Sequence, residues 1–432
     1  MGNLLRAIGG VVVLATLLSL GGCATYGNAL HDIDLAIQQG RPADALAKLE
    51  TLESGARNQA LYHINKGMLL RMNGDIAGSI AAFEAAKPLV GYQEAASFSE
   101  TAGQFALAEG ATSYQPRPFE RLQLHVFQAL NHLEIDDWDA ARVEAVQINL
   151  LLDRAYGGVA PHGGDAFARY LSGIIFEGRG ENDDALIAYR KALQAYDKNG
   201  TVRQFPADLE KRLLLLTERF GLHDEHKQFA ERFGEKRAAQ ARALAESGDG
   251  ELLVVGMTGL VPHRREVSSL HQDFTSGKFY RLSLPTLRPR SGSANRLVLV
   301  AGDQEIARSE LVEDLSVAAQ RALDDELPGL IARSIARNVI KNRVANEAGE
   351  NSQGLEFLFN IASAVLENAD TRSWNTLPER LHLVRVSLPE GTHELRAEFA
   401  GVGGASLAGK PLGTITIKRT RPVVVSARWT GY

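Results

Sequence analysis

The chain has 432 residues, 45% of them hydrophobic and 23% charged, with a formal net charge of −5. That apolar share excludes a disordered chain, and the mild acidity gives no broad attraction to nucleic acid or to anionic lipid. The length exceeds what one apolar core supports and implies two domains or more.

Arg6 is the only charged side chain ahead of an apolar run, Ala7 to Leu20, which closes in Leu20-Gly21-Gly22-Cys23. The run is shorter than the ~20 residues of a membrane-spanning helix and ends on small residues, as a cleaved export signal does. Cys23 is the single cysteine of the chain, so its position directly after those residues is specific. The segment resembles the lipobox of bacterial lipoprotein signals. The resemblance implies removal of residues 1–22, acylation of Cys23 and a lipidated tether over 23–28. Several acyl chains on one residue make a durable membrane anchor, whereas a single chain binds reversibly. Ala24 and Thr25 follow the cysteine in place of Asp, which by the same resemblance implies the outer membrane, facing the periplasm. With no second cysteine, stability after export has to come from packing.

Residues 29–246 read as all-α. The clearest unit is Ala166 to Tyr196, in which Gly173 marks a close helix approach and Gly180 a turn. Ala185, Tyr189 and Ala192 then share one helix face. The arrangement resembles a tetratricopeptide repeat. Similar offsets place Gly67, Gly74, Phe83 and Ala86 within Ala60 to Pro88, and Ala129, Trp138, Ala141 and Ala145 within Arg121 to Leu151. A weaker copy holds Gly40, Ala45 and Leu49, and a further helical pair runs from Ala207 through Gly221 to Ala245. No copy carries the full consensus and the spacing is irregular, so an ordinary helical bundle is the alternative.

Two loops interrupt the helices, Tyr114-Gln115-Pro116-Arg117-Pro118 and Tyr156 to Asp165. The second has too many glycines to stay helical, and a loop of that length is a candidate functional segment, with Tyr156, His162 and Asp165 as its chemistry-bearing residues. His162-Gly163-Gly164 is similar to the oxyanion loop of some hydrolases, yet no G-x-S-x-G nucleophile elbow accompanies it.

Near Ala245 to Gly250 the pattern changes to short β-type runs, and residues 251–432 read as a β-rich domain. Eight strands are predicted: Glu251 to Gly256, Phe279 to Leu284, Arg296 to Val300, Glu305 to Ser309, Leu381 to Ser387, His393 to Ala400, Gly413 to Lys418 and Val423 to Trp429. Leu395, Ala397 and Phe399 interleave with Glu394, Arg396 and Glu398, the period of a half-buried antiparallel strand. The fold class is therefore multidomain, a tetratricopeptide-like helical repeat domain followed by a β-sandwich-like domain. A helical insertion over 311–369 splits the sandwich. Pro328 breaks that insertion; Leu330, Ile331, Ile335, Val339 and Ile340 form an apolar stripe beside Arg333, Arg337, Lys341 and Arg343, and Leu355 to Leu366 forms a second, nearly uncharged helix. Such a hairpin packs in a core or touches lipid or a partner groove.

The insertion ends in Ala369-Asp370-Thr371-Arg372-Ser373-Trp374, followed by Leu377-Pro378. Together with Glu251 to Val255 leading to Gly259-Leu260-Val261-Pro262, and with Tyr170-Leu171-Ser172-Gly173, this string resembles a family of bacterial lipoproteins with a helical-repeat first half and a β-rich second half. The resemblance implies an envelope protein and no reaction. Asp370, Arg372, Ser373 and Trp374 are either a partner-binding site or a junction in which Asp370 pairs with Arg372 and Trp374 plugs the interface.

The signatures of catalysis are missing: no H-E-x-x-H, no G-x-x-x-x-G-K-[ST] and no G-x-G-x-x-G occurs. His223 and His226 make two metal ligands at helical spacing without a third, and Arg264-Arg265 and Arg288-Pro289-Arg290 read as solvated loops. No catalytic residue, metal or cofactor is expected. The expected function is an outer-membrane-anchored scaffold that holds envelope proteins on its helical-repeat surface and the membrane through the lipid on Cys23; the alternative is a peptidoglycan- or polysaccharide-binding or modifying protein.

Overall fold

A computed structural model describes residues 30, 32–52, 55–104, 113–272, 279–290, 292–349 and 368–431. The signal at 1–22, Cys23 with its tether, and the segment Leu355 to Leu366 lie outside the described residues.

The helical half is built from pairs joined by one repeated turn. The pairs are α1 (32–38) with α2 (Pro42–Glu50), α3 (Gln59–Met72) with α4 (Ile76–Gln104), α5 (Pro118–Glu134) with α6 (Trp138–Tyr156), α7 (Asp165–Gly178) with α8 (Asn182–Asn199), and α9 (Ala207–Arg219) with α10 (His223–Phe233). Between the members of each pair one residue takes a left-handed conformation: Gly40, Gly74, Asp136, Gly180 and Gly221. The next residue's N–H then donates to a carbonyl five positions back, Arg41 to Ala36, Asp75 to Leu70, Asp137 to His132, Glu181 to Phe176 and Leu222 to Thr217. This is the capped helix end that glycine favours, and Asp136 is the one non-glycine at positive φ among the described residues. Small residues let each pair close: a Cβ on Gly67 would collide with the Phe83 ring, and one on Gly173 with Tyr189. The stretch from Ala207 to Ala245 holds three helices where a pair was expected, the third being α11 (Glu235–Glu246), because Gly234 turns the chain at φ 86°.

The second half has ten strands among the described residues: β1 (Gly250–Thr258), β2 (Leu260–Gln272), β3 (Phe279–Arg290), β4 (Ala294–Ala301), β5 (Gln304–Arg308), β6 (Glu310–Asp314), β7 (Arg380–Leu388), β8 (Gly391–Gly401), β9 (Ser406–Ile417) and β10 (Val423–Trp429). One sheet runs β10-β1-β7-β6, a second runs β5-β4-β8-β9, and β2 and β3 form a separate hairpin. Within the first sheet β1 is parallel to β10 and antiparallel to β7. Because side chains alternate, Leu252 and Val254 of β1 meet Leu297, Leu299, Ala397 and Phe399 of the second sheet. Leu253, Val255 and Met257 point the other way, into the cluster built by the helices. A strand covered on both faces is apolar at consecutive positions, which is why Leu252 to Val255 shows no alternation.

Two strands escaped the expected set. β2 carries Arg264, Arg265 and Glu266 and lacks a clean apolar period, and β6 lies inside the stretch assigned to the insertion, whose helix α12 (Leu315–Gly349) begins only at Leu315. Arg264 and Arg290, expected in solvated loops, stand on β2 and β3 and are buried. Pro328 does not break α12. The turn that precedes it is held from outside, since Glu326 accepts from both Arg117 and Arg264 and the Ala318, Ala319 and Ala322 face is buried.

The first and second helices of the pairs have unlike surroundings. Every residue of α7 from Asp165 to Phe176 is buried, whereas α6 buries one stripe, Trp138, Ala141, Glu144, Ala145, Ile148 and Leu152. One apolar cluster runs from Ile33 through Phe127 and Tyr170 to Leu253, Leu381 and Val424. The β-rich half therefore packs into the face of the first helices that their own partner helices leave open.

Candidate functional site

The segment 368–379 leads into β7 against the helical pairs and brings together two features that are far apart in the sequence. Trp374 is 1% exposed; its ring meets Phe83 and Phe127 edge-on at 5.9 and 6.3 Å. Its backbone N–H donates to Glu120 Oε1 at 2.9 Å, and its indole donates to Thr376 Oγ1 at 3.0 Å. Thr376 in turn donates to Asn65 Oδ1 on α3, and Ser373 donates to Asn375 at 2.7 Å. Glu120 Oε2 accepts from the Tyr114 hydroxyl at 2.7 Å and the Arg117 N–H at 2.8 Å. The first loop, Tyr114 to Pro118, thus meets the string at 370–374.

Arg372 donates to both oxygens of Asp370, at 2.9 and 2.7 Å, and to Asn58 on the helical side. Its carbonyl accepts from Arg117 at 2.7 Å, and the Arg117 and Arg372 guanidiniums each lie 5.9 Å from the Tyr114 ring centre. Burial alone would raise the Asp370 carboxyl, but the Arg372 pair outweighs it and holds the group below its ordinary range. Glu326 is governed by the same contest, with burial opposed by Arg117 and Arg264. The void among Arg117, Glu120, Arg264 and Ser373 has a volume of about 10 Å³, room for about one water and for no larger ligand.

A second constellation was not expected from the sequence. Arg385 of β7, 2% exposed at its side chain, reaches Glu177 of α7 at 3.1 Å, Asp208 of α9 at 3.1 Å and Glu251 of β1 at 2.7 Å. Arg212 joins Glu177 at 2.8 Å and also meets Glu251. Tyr170 donates to Asp208 at 2.7 Å and Tyr189 to Glu177 at 2.6 Å. Burial would raise Asp208, but Arg385 and Arg212 hold it far below the usual carboxylate range. The available signal was a lone arginine inside the apolar run Leu383-Val384-Arg385-Val386: a charge in a strand covered on both faces has to find partners.

The glycine-rich loop is closed rather than open. His162 is buried, with Nε2 3.4 Å from Asp325 of α12. Asp165 opens α7, buried beside Arg169 at 3.6 Å, and Tyr156 is half-buried at the end of α6. Asn199 donates to the Ala160 carbonyl and Arg321 of α12 to the Asn199 carbonyl, so α8 and α12 fasten the loop, and His162 and Asp165 are held by different partners. Next to it, burial pushes the Glu313 carboxyl up to about 8, against the hydroxyl of Thr201 and with Asp165 and Asp314 adding to the rise. Around His223 and His226, Glu225 pairs with Arg190, and His226 Nδ1 lies 3.0 Å from the Leu214 carbonyl.

The carboxylates of Glu120, Asp370 and Glu326, and those of Glu177, Asp208 and Glu251, each accept from a guanidinium, a backbone N–H or a hydroxyl. The chemistry open to them is to hold elements together. A groove of about 240 Å³ lies elsewhere, between α6 and α8, lined by Val146, Leu150, Phe176 and Ile187.

No protein-family model matches the sequence, and no curated protein matches it. Solved structures with a similar helical half include MamA 41-end from Desulfovibrio magneticus RS-1, at 17% identity and a TM-score of 0.32, covering 51% of this chain and 95% of that one. A Podosopora anserina putative kinesin light chain with nearly identical TPR-like repeats aligns at 13% identity and a TM-score of 0.32, covering 51% and 95%. BtubC (BKLC) from P. vanneervenii aligns at 14% identity and a TM-score of 0.31, covering 50% and 74%. Likenesses this distant carry nothing about activity or partners.

Proposed function

We propose that the chain is an envelope lipoprotein, anchored through Cys23 in the outer membrane and facing the periplasm, that acts as a scaffold for other proteins. The observation that carries the reading is the division of labour within the helix pairs. The first helices are spent on the chain's own β-rich half, and the second helices keep a solvent-facing side on which Val143 and Ile187 are 53% and 47% exposed. Partners would therefore meet the outer, second-helix face and not the inner face a free repeat array offers. In the same reading the two four-stranded sheets are the sandwich, split by the insertion that starts with α12. Asp370, Arg372, Ser373 and Trp374 fasten the halves together, because each side chain ends on a group of the same molecule.

Photo-crosslinkers at Val143 and Ile187, in cells carrying the full chain, test the reading against one at Asn65 on the inner face. Capture of the same envelope proteins from the two outer positions, with none from Asn65, is expected. Retention on cell-wall sacculi without any protein crosslink would move the function to polysaccharide binding. Fractionation of Cys23→Ser cells tests the anchor: the variant is expected to leave the outer-membrane fraction.

A further inference from the structure

Between α4, α5 and α6 lies a group of side chains that neither junction uses. Glu84 of α4, His132 of α5 and Glu144 of α6 each place one ligand atom within 4.8 Å of the others. The His132 Nδ1 atom is buried with no hydrogen-bond partner, and its nearest recorded acid, Asp137, is 3.7 Å away. His125, two turns before His132 on the same helix, has Nδ1 2.8 Å from Glu144 Oε2, and Gln128 donates to Glu84 Oε1 at 2.8 Å. The space between the two carboxylates is taken by the ammonium of Lys87, 2.6 Å from Glu84 Oε1 and 2.6 Å from Glu144 Oε1.

We propose that Glu84, His132 and Glu144 form a site for one divalent transition-metal ion of the zinc class, for which the Lys87 ammonium is the resident competitor. One imidazole and two carboxylates from three helices are a donor set that such ions take, with a fourth position left for water. Ligand atoms on one tetrahedral zinc stand roughly 3.4 Å apart, so the three atoms have to close by up to about 1.4 Å. The exchange of an ammonium at 2.6 Å for a smaller ion drives that contraction. Lys87 is able to leave: its side chain is 22% exposed on a flexible stem, and with Glu84 half-exposed the ammonium reaches water by rotation. His125 orients the Glu144 carboxylate in the manner of an outer-shell partner. The bound ion would tie the second helix of one pair to both helices of the next, beside the outer face.

The test is a titration of the full chain, purified in detergent and stripped of metal, with zinc alone. One zinc per chain is expected, bound at least tenfold more tightly by Lys87→Met, in which the competitor is gone, and accompanied by a rise in melting temperature. His132→Ala placed in the Lys87→Met chain should abolish the gain. Glu84→Gln, at an exposed position that leaves folding intact, should also weaken binding at least tenfold. Magnesium at millimolar concentration should not displace the ion, since it makes little use of imidazole. Absence of stoichiometric zinc binding by Lys87→Met overturns the proposal, as does zinc binding that His132→Ala and Glu84→Gln leave unchanged.

Discussion

The first and second helices of the pairs carry similar apolar stripes and end in different surroundings. On α7 every residue from Asp165 to Phe176 is buried, and the polar residues there, Tyr170 and Arg169, end on Asp208 and the Gly158 carbonyl. On α6 the face turned away from α5 holds Arg142, Val143 and Asp153, and its ion pairs, such as Lys191 to Asp153 at 3.7 Å, lie at the surface. Burial on a second side converts every polar side chain into an obligation, because an unpaired buried charge costs far more than its pairing returns. The comparison teaches that the inner rank of helices is a wall of this molecule's own core, while the outer rank stays free to vary.

Breaking the inner rank should produce the largest effects. Arg385→Ala leaves Glu177, Asp208 and Glu251 short of their shared cation and is expected to cost about 3–5 kcal/mol, read from denaturant unfolding. A cost below about 1 kcal/mol would mean that the ionic junction is dispensable. Trp374→Ala removes the ring between Phe83 and Phe127 and is expected to cost about 3–5 kcal/mol by the same measurement. A Trp374→Ala chain of unchanged stability that loses its crosslinked partners would turn the string at 370–374 into a binding site.

The pH dependence sharpens the comparison at the edge of the inner rank. Burial favours the protonated form of Glu313 in the folded state, with its carboxyl at about 8 against an ordinary value of 4.5. Its contribution is therefore complete below its ordinary range and lost as pH rises through about 8. Glu313→Gln should flatten that decline in melting temperature and leave a more stable protein at alkaline pH. An unchanged slope would show that the group is solvated. Asp208, held low, contributes the opposite dependence, lost only as the pH falls into the acid range. The smallest effect is expected on the outer rank. Ile187→Ser, at 47% exposure, should change stability by no more than about 0.5 kcal/mol, since surface substitutions seldom do more. It should also weaken partner capture, which separates a free face from a hidden interface.

Local chemistry was legible wherever one segment decides its own shape. Gly74 and Gly180 announced turns, Gly67 and Gly173 announced the close approach of Phe83 and Tyr189, and the alternation through Leu395, Ala397 and Phe399 announced β8. What stayed hidden depends on contacts across the sequence. β2 has no apolar period because Arg264 is neutralised by Glu326, 62 residues away, and α12 passes through Pro328 because its neighbouring turn is clamped from other elements. The string at 370–374 stood out by composition, yet its surroundings did not: nothing in Asp370 to Trp374 tells that Glu120, Asn65 and Asn58 lie opposite. The partners of Arg385 were hidden for the same reason, since its three carboxylates come from α7, α9 and β1.

The parallel pairing of β10 with β1 has a consequence in time. Val423 to Trp429 lie against Leu252 to Thr258, Ser426 accepts from Arg71 of α3, and Thr430 donates to the Ile37 carbonyl at 2.9 Å. Among the described residues the last strand is thus fitted between α1, α3 and the first strand. The chain leaves the ribosome, and under the proposed export the translocation channel, N-terminal end first, so α3 and α5 are free to fold before β10 arrives. Throughout that interval the side of α5 that β10 covers lacks its strand, and long-range closure of this kind is slow and prone to aggregation. Removal of β10 should then do more than trim an edge, leaving a chain that is unable to close its first sheet.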